Sequence, residues 1–507
     1  MNANIHNSGT VPGTRRYLMT EEGTWKPEAC SSLLVFRQEP GEAAEYPNLL
    51  LGVLGAAEDF RGEFAGFGAF AAPARLGGVH EAAAGDLLLI LGEVPGTSHP
   101  EAYRLEIGDF VTLTAANDRS ALHGLRTLRQ LLFSSGGELA YGVIEDEPLV
   151  GERALHLDIG RKFYPQEWIV ARIRDMAELK LNTLQLHFSE HEGFTFESER
   201  HPEIMSESYL TKEQVREIIK EARRHRITLI PSLDSPGHLG WALRNHPEWL
   251  LARADGEPAR GALDITCPEA VAFALDLIDE YAELFEGSPY FHIGGDEFID
   301  FGTFASYPQL GLYARETLGI EGGTEVDAYI DYLNKAAERL EARGFTVRVW
   351  NDGLYREDLE QRVAPKPSMQ VAYWTKWDRK MAPAQTFLDQ GHEIVNFNDA
   401  YFYYVLGEHA GYVYPSGAKI YDGWHPGLLP RAGEHEPQEW MPPYPEGLLG
   451  CSFSVWSDKP EAQTIEEVER GLKEPLRAMA EKAWTGERRY ADYKAFAEAC
   501  AAAGLDR

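Results

Sequence analysis

The chain has 507 residues, of which 44% are hydrophobic, so we expect one large domain with a sizeable core and a second, smaller domain. Its formal net charge of −32 is spread along the sequence, which disfavours nucleic acids and anionic membranes as partners, since both are polyanions. The sequence has no apolar run long enough to span a bilayer, and its four cysteines form no CxxC pair.

The N-terminal segment is polar and lacks the apolar stretch of a secretory signal. We therefore expect residues 1–20 to form a polar tail and the protein to be cytoplasmic. Secretion is the alternative if a leader peptide is missing from this sequence.

Residues 21–148 predict a small α+β domain. The runs GDLLLILGE (85–93), AYRLEIGD (102–109) and FVTLTAA (110–116) are typical of strands, and DRSALHGLRTLRQLLF (118–133) is typical of an amphipathic helix. This domain precedes a longer region with a different pattern.

Residues 149–485 alternate short apolar runs with helical stretches. Eight such runs are present: 154–159, 182–188, 227–234, 290–297, 346–352, 369–374, 393–398 and 448–456. Near-continuous apolar strands indicate a parallel sheet covered on both faces, and eight of them with intervening helices predict an α/β fold of the (β/α)8 TIM barrel type. A doubly wound sheet is the alternative, but no glycine-rich phosphate turn follows the first run. Residues 486–507 predict a helical tail.

The predicted ends of these strands carry acids, aromatic residues and histidine. Active sites of such barrels lie at the carboxyl ends of the strands. Aromatic rings can pack on the C–H faces of a sugar while carboxylates bind its hydroxyls, and glycoside cleavage uses a pair of carboxylates. The composition of these strand ends therefore favours a carbohydrate as the substrate.

Asp296 and Glu297 stand side by side after the apolar run that begins at Tyr290. Consecutive strand residues point to opposite faces, so the two acids can share one pocket only if the chain bends. The glycine pair Gly294–Gly295 makes such a bend accessible.

Four motifs together resemble glycoside hydrolase family 20, the β-N-acetylhexosaminidases: HIGGDE (292–297), DSPGH (234–238), RALHLDIGRKFYP (153–165) and LNTLQLHFSEHEGF (181–194). The resemblance implies a small N-terminal domain, a catalytic barrel and no cofactor or metal. It also implies an exo-acting, retaining enzyme that removes terminal β-linked N-acetylglucosamine, or N-acetylgalactosamine, from glycans. In this family the 2-acetamido group of the substrate is the nucleophile, and an oxazolinium ion is the intermediate.

The resemblance also implies roles for individual residues. Asp296 would orient the acetamide, and Glu297 would be the general acid and base. Substrate-binding roles fall to eight further residues: Arg153 for sugar hydroxyls, Glu190 and His238 for support of the acid, Trp350, Trp374 and Trp456 for the aromatic wall, Tyr401 for the acetamide carbonyl, and Asp458 for hydroxyls near the rim.

Two positions depart from the usual family pattern. Asp458 stands where many members have glutamate, and Tyr403 stands where several have an acid. With NDAYFYYVLG (398–407) and FSVWSDKP (453–460), the pattern is similar to the bacterial exo-β-N-acetylglucosaminidases. The aromatic-rich segment 407–446 is expected to form a wall over the pocket, with Trp424 as a candidate contact for a second sugar.

Three alternatives remain open at this point. A lacto-N-biosidase would release a disaccharide from a similar barrel. A metal-dependent barrel hydrolase would use His156, Asp158, His187 and His191 as ligands. A silent sugar-binding module would need no acid pair, which the intact Asp296–Glu297 pair disfavours.

Overall fold

The structure is a computed structural model that describes residues 9–37, 47–431 and 438–506. Residues 1–8 of the predicted polar tail and residues 432–437 of the predicted pocket wall lie outside the described residues. Among the described residues, no helix combines the length and apolarity needed to cross a membrane.

The N-terminal domain is a mixed seven-stranded sheet with two helices. Its strands follow the order β1-β7-β5-β6-β4-β2-β3, with β1 Arg16–Trp25, β2 Leu33–Arg37, β3 Arg75–Leu76, β4 Leu87–Leu91, β5 Tyr103–Ile107, β6 Val111–Ala115 and β7 Leu139–Asp146, and its helices are α1 Pro47–Phe64 and α2 Asp118–Ser135. Residues 16–20 therefore form part of strand β1, paired with β7, and not part of the expected tail. The polar alternation of this edge strand concealed it in the sequence.

The barrel is closed by eight parallel strands, which confirms the predicted fold class. Its cyclic order is β8-β9-β10-β13-β14-β15-β16-β20, and β20 pairs with β8. The strands from here to the end of the chain are β8 Glu152–Asp158, β9 Thr183–His187, β10 Thr228–Ser235, β11 Leu250–Ala252, β12 Pro258–Leu263, β13 Tyr290–Gly294, β14 Thr346–Trp350, β15 Gln370–Tyr373, β16 Ile394–Asn396, β17 Tyr403–Val405, β18 Leu428–Leu429, β19 Gln438–Glu439 and β20 Leu448–Trp456.

The remaining helices mostly cover the outside of the barrel. They are α3 Gln166–Glu178, α4 Lys212–Arg224, α5 Pro268–Leu284, α6 Pro308–Glu316, α7 Glu325–Glu341, α8 Ala384–Asp389, α9 Asp399–Phe402, α10 Gly417–Gly423, α11 Ile465–Thr485 and α12 Tyr493–Ala502. Thr211 and Gln214 form the predicted capping box at the start of α4. Thr464 and Glu467 form another at the start of α11.

The seventh barrel position is built from two short strands and not from one. Strand β16 pairs with the first half of β20, the single turn α9 interrupts the chain, and β17 then pairs with the end of β20 from Tyr403↔Ser454 to Val405↔Trp456. This interruption decides which side chains of the segment 398–405 point into the barrel mouth.

Buried polar contacts join the two domains at the amino ends of the barrel strands. Arg153, the second residue of β8, forms an ion pair with Glu101 of the small domain and donates from Nε to the carbonyl of Lys180 at 2.9 Å. Trp484 of α11 packs within the apolar core of the small domain and lies under the Arg153 guanidinium at 5.0 Å. This end of the barrel is therefore a structural interface.

Candidate active site

A cavity of about 360 Å³ opens at the carboxyl ends of the strands. It is lined by acids, an arginine, a histidine and a set of aromatic residues that come from almost every strand end. The members used below are Arg161, Glu190, His238, Asp296, Glu297, Trp350, Trp374, Trp377, Asp399, Tyr403, Tyr412, Trp456 and Asp458.

Asp296 and Glu297 enter this cavity through a sharp bend after β13. Gly294 and Gly295 have φ of 76° and 88°, and Glu297 itself has φ of 42°. A Cβ atom at Gly294 would collide with the Asp234 carboxylate, so glycine is required there for close approach as well as for backbone conformation. The bend turns both carboxylates toward one cavity, as the sequence predicted.

The two acids have different surroundings. Asp296 is buried, and its Oδ1 has no hydrogen-bond partner among the described residues. Burial, together with the nearby Asp234 carboxylate, raises the pKa of Asp296 well above its usual range, and His238 opposes the increase. A buried carboxylate that lacks a donor is suited to accept one from a ligand.

The Glu297 side chain is 59% exposed at the rim of the cavity. The imidazole of His238, 3.5 Å away, lowers the pKa of Glu297, although partial burial acts in the opposite direction. The backbone N–H of Glu297 donates to Oδ2 of Asp352 at 3.0 Å, which fixes the bend. Glu297 is thus held at the edge of the cavity with its carboxylate accessible.

His238 connects the acid pair to a buried carboxylate. Its Nδ1 lies 2.8 Å from Oε2 of Glu190, and its Nε2 lies 3.5 Å from Asp296 Oδ2 and 3.5 Å from Glu297 Oε2. Burial alone would lower the pKa of His238, but Glu190 and Asp296 raise it well above the usual value. His238 adopts φ of 55°, a conformation that costs about 1–3 kcal/mol in a non-glycine residue and is concentrated at functional sites.

Arg161 is the arginine of the cavity, and the prediction of Arg153 for this role is wrong. Arg161 lies 2.7 Å from Glu190 Oε1 and 2.9 Å from Asp158 Oδ2, with its guanidinium 5.6 Å from the Trp456 ring. Arg153 is the second residue of β8 and is fully buried at the opposite end of the barrel. The strand-end rule applied to GRKF, directly after β8, would have selected Arg161.

Three tryptophans form one side of the cavity, where the sequence predicted them. Trp350, Trp374 and Trp456 belong to a single apolar cluster, and the rings of Trp350 and Trp456 lie 6.0 Å apart. Nε1 of Trp374 donates to Oδ1 of Asp352 at 3.1 Å, which fixes the plane of that ring. The result is a rigid aromatic wall beside Asp296.

Tyr403, not Tyr401, is the tyrosine of this wall. Tyr403 begins β17, and its ring lies parallel to that of Trp374 at 5.7 Å with an interplanar angle of 1°. Tyr401 lies in the turn α9, and its hydroxyl donates to the carbonyl of Gly423 at 3.2 Å, away from the cavity. The turn α9 separates Tyr401 from β17, so Tyr401 and Tyr403 face different surroundings although they are two residues apart. Regular strand alternation would have placed both side chains on the same face.

Asp399 and Tyr412 also line the cavity, and the sequence analysis singled out neither of them. Burial raises the pKa of Asp399 to about 6, and its Oδ2 accepts hydrogen bonds from Thr375 Oγ1 at 3.0 Å and from the Tyr412 hydroxyl at 3.3 Å. Asp458, which was predicted, lines the same cavity, and burial raises the pKa of its carboxyl. Polar groups therefore ring the aromatic wall.

The segment 407–446 contributes to the cavity through Tyr412 and Ala410. Trp424, the candidate contact for a second sugar, is instead buried and packs edge-to-face on Phe402 at 4.5 Å. It belongs to the core behind the seventh strand.

Within the described part of the chain, three overlapping groups of side chains could hold a metal ion: Glu190–His191–His238, His187–Glu190–Asp234 and Asp234–His238–Asp296. Their donor atoms lie within 4.8 Å of one another. Arg161 already pairs with Glu190, and a second cation beside that guanidinium would be repelled. The buried His156 lies under this network, with its ring 4.5 Å from that of Trp456.

Both domains of the chain match known protein families. The sequence model of the glycosyl hydrolase family 20 catalytic domain matches residues 152–487, and that of domain 2 of the same family matches residues 39–147. The chain is 28% identical over 396 residues to a lacto-N-biosidase of Bifidobacterium bifidum, covering 78% of this chain and 34% of that protein. It is 26% identical over 383 residues to a β-hexosaminidase of Vibrio furnissii, covering 69% of this chain and 59% of that protein.

The fold matches a solved structure along almost its whole length. The exo-β-N-acetylglucosaminidase of Vibrio harveyi, crystallised with N-acetylglucosamine, superposes with a TM-score of 0.74 at 18% identity and covers 99% of this chain and 78% of that one. The chain thus spans a third to three fifths of the length of these curated relatives.

Proposed function

Because the chain belongs to glycosyl hydrolase family 20, we propose that it is an exo-acting, retaining β-N-acetylhexosaminidase. It removes terminal β-linked N-acetylglucosamine, with N-acetylgalactosamine as the alternative sugar, from glycans. The observation that carries this proposal is the acid pair itself: a buried Asp296 within the tryptophan wall and an exposed Glu297 at its rim share one histidine nitrogen.

The first step of the proposed reaction forms a ring from the substrate's own atoms. The acetamide carbonyl oxygen attacks the anomeric carbon as the glycosidic C–O bond breaks, and Glu297 gives its proton to the departing oxygen. Asp296 accepts a hydrogen bond from the acetamide N–H and stabilises the positive charge of the oxazolinium ion. In the second step, water attacks the anomeric carbon, Glu297 takes its proton, and the ring opens with retained configuration.

Binding of the sugar supplies the protonation state that this step needs. Glu297 is exposed and has a lowered pKa in the free protein, whereas a general acid must carry a proton. A sugar seated against the tryptophan wall covers Glu297 and removes water from it, and desolvation raises the pKa of a carboxyl group. The same sugar supplies Asp296 with the donor that it lacks, which favours its ionised form.

Hydrolysis of a panel of aryl glycosides, chitobiose and lacto-N-tetraose tests the proposal. We expect release of single N-acetylhexosamine units. Glu297→Gln is expected to lower turnover of chitobiose by about 10²–10⁴-fold, since general acid catalysis is lost, and to affect a dinitrophenyl glycoside much less. Glu316→Gln, which neutralises an exposed carboxylate on α6, is the control. No cleavage of N-acetylhexosaminides, or a fully active Glu297→Gln protein, would contradict the proposal.

Release of a disaccharide is the second candidate. It is favoured by one observation, the match of 78% of this chain to a lacto-N-biosidase. Lacto-N-tetraose separates the two activities, since a biosidase releases a disaccharide from it while the proposed enzyme requires a terminal N-acetylhexosamine. A metal-dependent hydrolase would lose activity on treatment with a chelator, which we do not expect. A cytoplasmic location stays a prediction that cell fractionation would test.

A further inference from the structure

A second cavity, of about 450 Å³, adjoins the first at the barrel mouth. The two cavities share Glu297 and Trp377, which line both of them. The second cavity is otherwise formed by the loops that follow β13, β14 and β15, and it includes Phe301, Arg356 and Lys380.

The position of this cavity relative to Glu297 indicates its occupant. In the proposed reaction Glu297 protonates the glycosidic oxygen, which joins the sugar that is removed to the group that leaves. The second cavity meets the first at Glu297 and therefore faces the leaving group. This step of the argument rests on the proposed function.

Trp377 is the feature of this cavity that fits a sugar. Its side chain is 66% exposed, whereas Trp374, three residues earlier, is buried. The backbone N–H of Trp377 donates to Thr375 Oγ1 at 3.3 Å, and Thr375 Oγ1 donates to Asp399 Oδ2 at 3.0 Å. An exposed indole on an anchored loop at the boundary of two cavities offers an apolar face to a ring bound beside it.

The floor of the cavity is a fixed ion-pair network. Arg356 is almost fully buried, lies 2.8 Å from Asp378 Oδ2 and 3.1 Å from Asp358 Oδ1, and packs 5.1 Å over the Phe301 ring. The Lys380 ammonium lies 3.3 Å from Asp358 Oδ2. These ion pairs join the loop after β14 to the loop after β15. The floor of the cavity is therefore held in place and carries groups that can form hydrogen bonds.

The charges of the lining disfavour an anionic occupant. Arg356 and Lys380 are both paired with aspartates, and the lining contains further carboxylates at Asp300, Asp352 and Glu297. The resulting acidic excess repels an anionic ring. Neutral hydroxyls can bind the exposed carboxylate and ammonium groups without that cost.

We propose that this cavity is the binding site for the leaving group, that it takes a pyranose ring without a negative charge, and that Trp377 is its stacking platform. Trp377 is then a specificity-determining residue that contributes only when the leaving group is a sugar. A substrate with a small leaving group does not use it.

Trp377→Ala, assayed on two substrates, tests this inference. Chitobiose has a sugar as its leaving group, and β-N-acetylglucosaminyl azide has only the small azide ion. We expect kcat/KM for chitobiose to fall about 10-fold, as for the loss of one aromatic contact of about 1.4 kcal/mol, and kcat/KM for the azide to fall by a clearly smaller factor. Trp377→Phe is expected to recover part of the chitobiose activity, and Met441→Ala, at an apolar side chain of similar exposure, is the control.

A third substrate tests the charge of the site. A disaccharide whose reducing-end ring is glucuronic acid is expected to be cleaved more slowly by the unaltered protein than chitobiose. Equal loss on chitobiose and the azide in Trp377→Ala, loss on neither, or faster cleavage of the glucuronide would overturn the inference. Failure of the unaltered protein to cleave either N-acetylglucosaminide would instead overturn the proposed function, and this inference with it.

Discussion

Nδ1 of His238 lies 2.8 Å from Oε2 of Glu190, behind the two adjacent acids. Glu190 is in turn held by Arg161 at 2.7 Å and by His187 Nε2 at 3.2 Å. Burial would raise the pKa of Glu190, but Arg161 and His238 hold it well below the usual range. The carboxylate therefore stays ionised and directs Nε2 of a charged His238 toward the acid pair.

His238→Asn is expected to move both limbs of the pH profile of kcat/KM to higher pH. His238 lowers the pKa of Glu297 and opposes the raised pKa of Asp296, so its removal raises both. Asparagine tolerates the positive φ of this position. The profile of the variant is compared with that of His80→Asn, an exposed histidine of the small domain. Unchanged limbs, or limbs at lower pH, would contradict the assigned role.

Arg161 and Arg153 are expected to differ in the property that each supports. Arg161→Lys keeps the charge but loses the planar fork, and we expect kcat/KM to fall by about 10- to 100-fold with little change in Tm. Arg153→Met removes the fully buried cationic partner of Glu101, which keeps the partly exposed Arg119 at 3.3 Å and contacts with His123 and Asn182. We expect this loss to lower the stability by about 1–3 kcal/mol. The folded fraction of that variant should retain its kcat/KM. Kinetics and thermal unfolding are measured on both variants. A loss of stability without a loss of kcat/KM in Arg161→Lys, together with a loss of kcat/KM in folded Arg153→Met, would refute the assignment of Arg161 to the cavity.

The two tyrosines of the interrupted seventh strand give a matched pair. Tyr403→Phe removes a hydroxyl from the cavity wall, and we expect kcat/KM for a nitrophenyl N-acetylglucosaminide to fall by about 5- to 15-fold, as for one lost hydrogen bond. Tyr401→Phe removes only the contact with the Gly423 carbonyl and should leave the rate within twofold. A larger effect at Tyr401 would mean that α9 and β17 are misplaced.

Asp296→Asn is expected to raise the apparent Tm at neutral pH while it lowers activity. A carboxyl group whose pKa is raised in the folded state stabilises that state below its unfolded pKa, about 3.9. This contribution is lost as the pH rises through the folded pKa. Asparagine resembles the neutral form at every pH, so the gain over the unaltered protein should grow between pH 5 and pH 8. Thermal unfolding across that range, with Glu316→Gln as control, is the measurement; a lower Tm for the variant at pH 8 would contradict the assigned burial cost.

The barrel and its acid pair could be predicted because the signals are local. Eight apolar runs with helices between them define the sheet, and the glycines before Asp296 indicate a bend there. The helix starts at Thr211 and Thr464 likewise follow from side chains three residues apart.

The errors at Arg153 and Tyr401 have a different origin. Arg153 stands at the wrong end of β8, a distinction that requires the bounds of the strand and not only its presence. Tyr401 was assigned from the resemblance to the family motif, but the turn α9 changes the direction of the chain before β17. Strand β1 was missed because its partner strand β7 is distant in sequence: the paired residues run from Arg16 and Glu145 to Trp25 and Leu139. A polar edge strand of this kind has no local signal of its own.

The central claim is that the acetamide oxygen of the substrate performs the displacement, with Asp296 holding the amide and Glu297 moving the proton. A series of aryl glycosides with N-acetyl, N-fluoroacetyl, N-difluoroacetyl and N-trifluoroacetyl groups tests it directly, since each fluorine makes that oxygen a poorer nucleophile. The account predicts a steep, progressive fall in kcat/KM along the series. A rate that does not depend on the number of fluorines would contradict it.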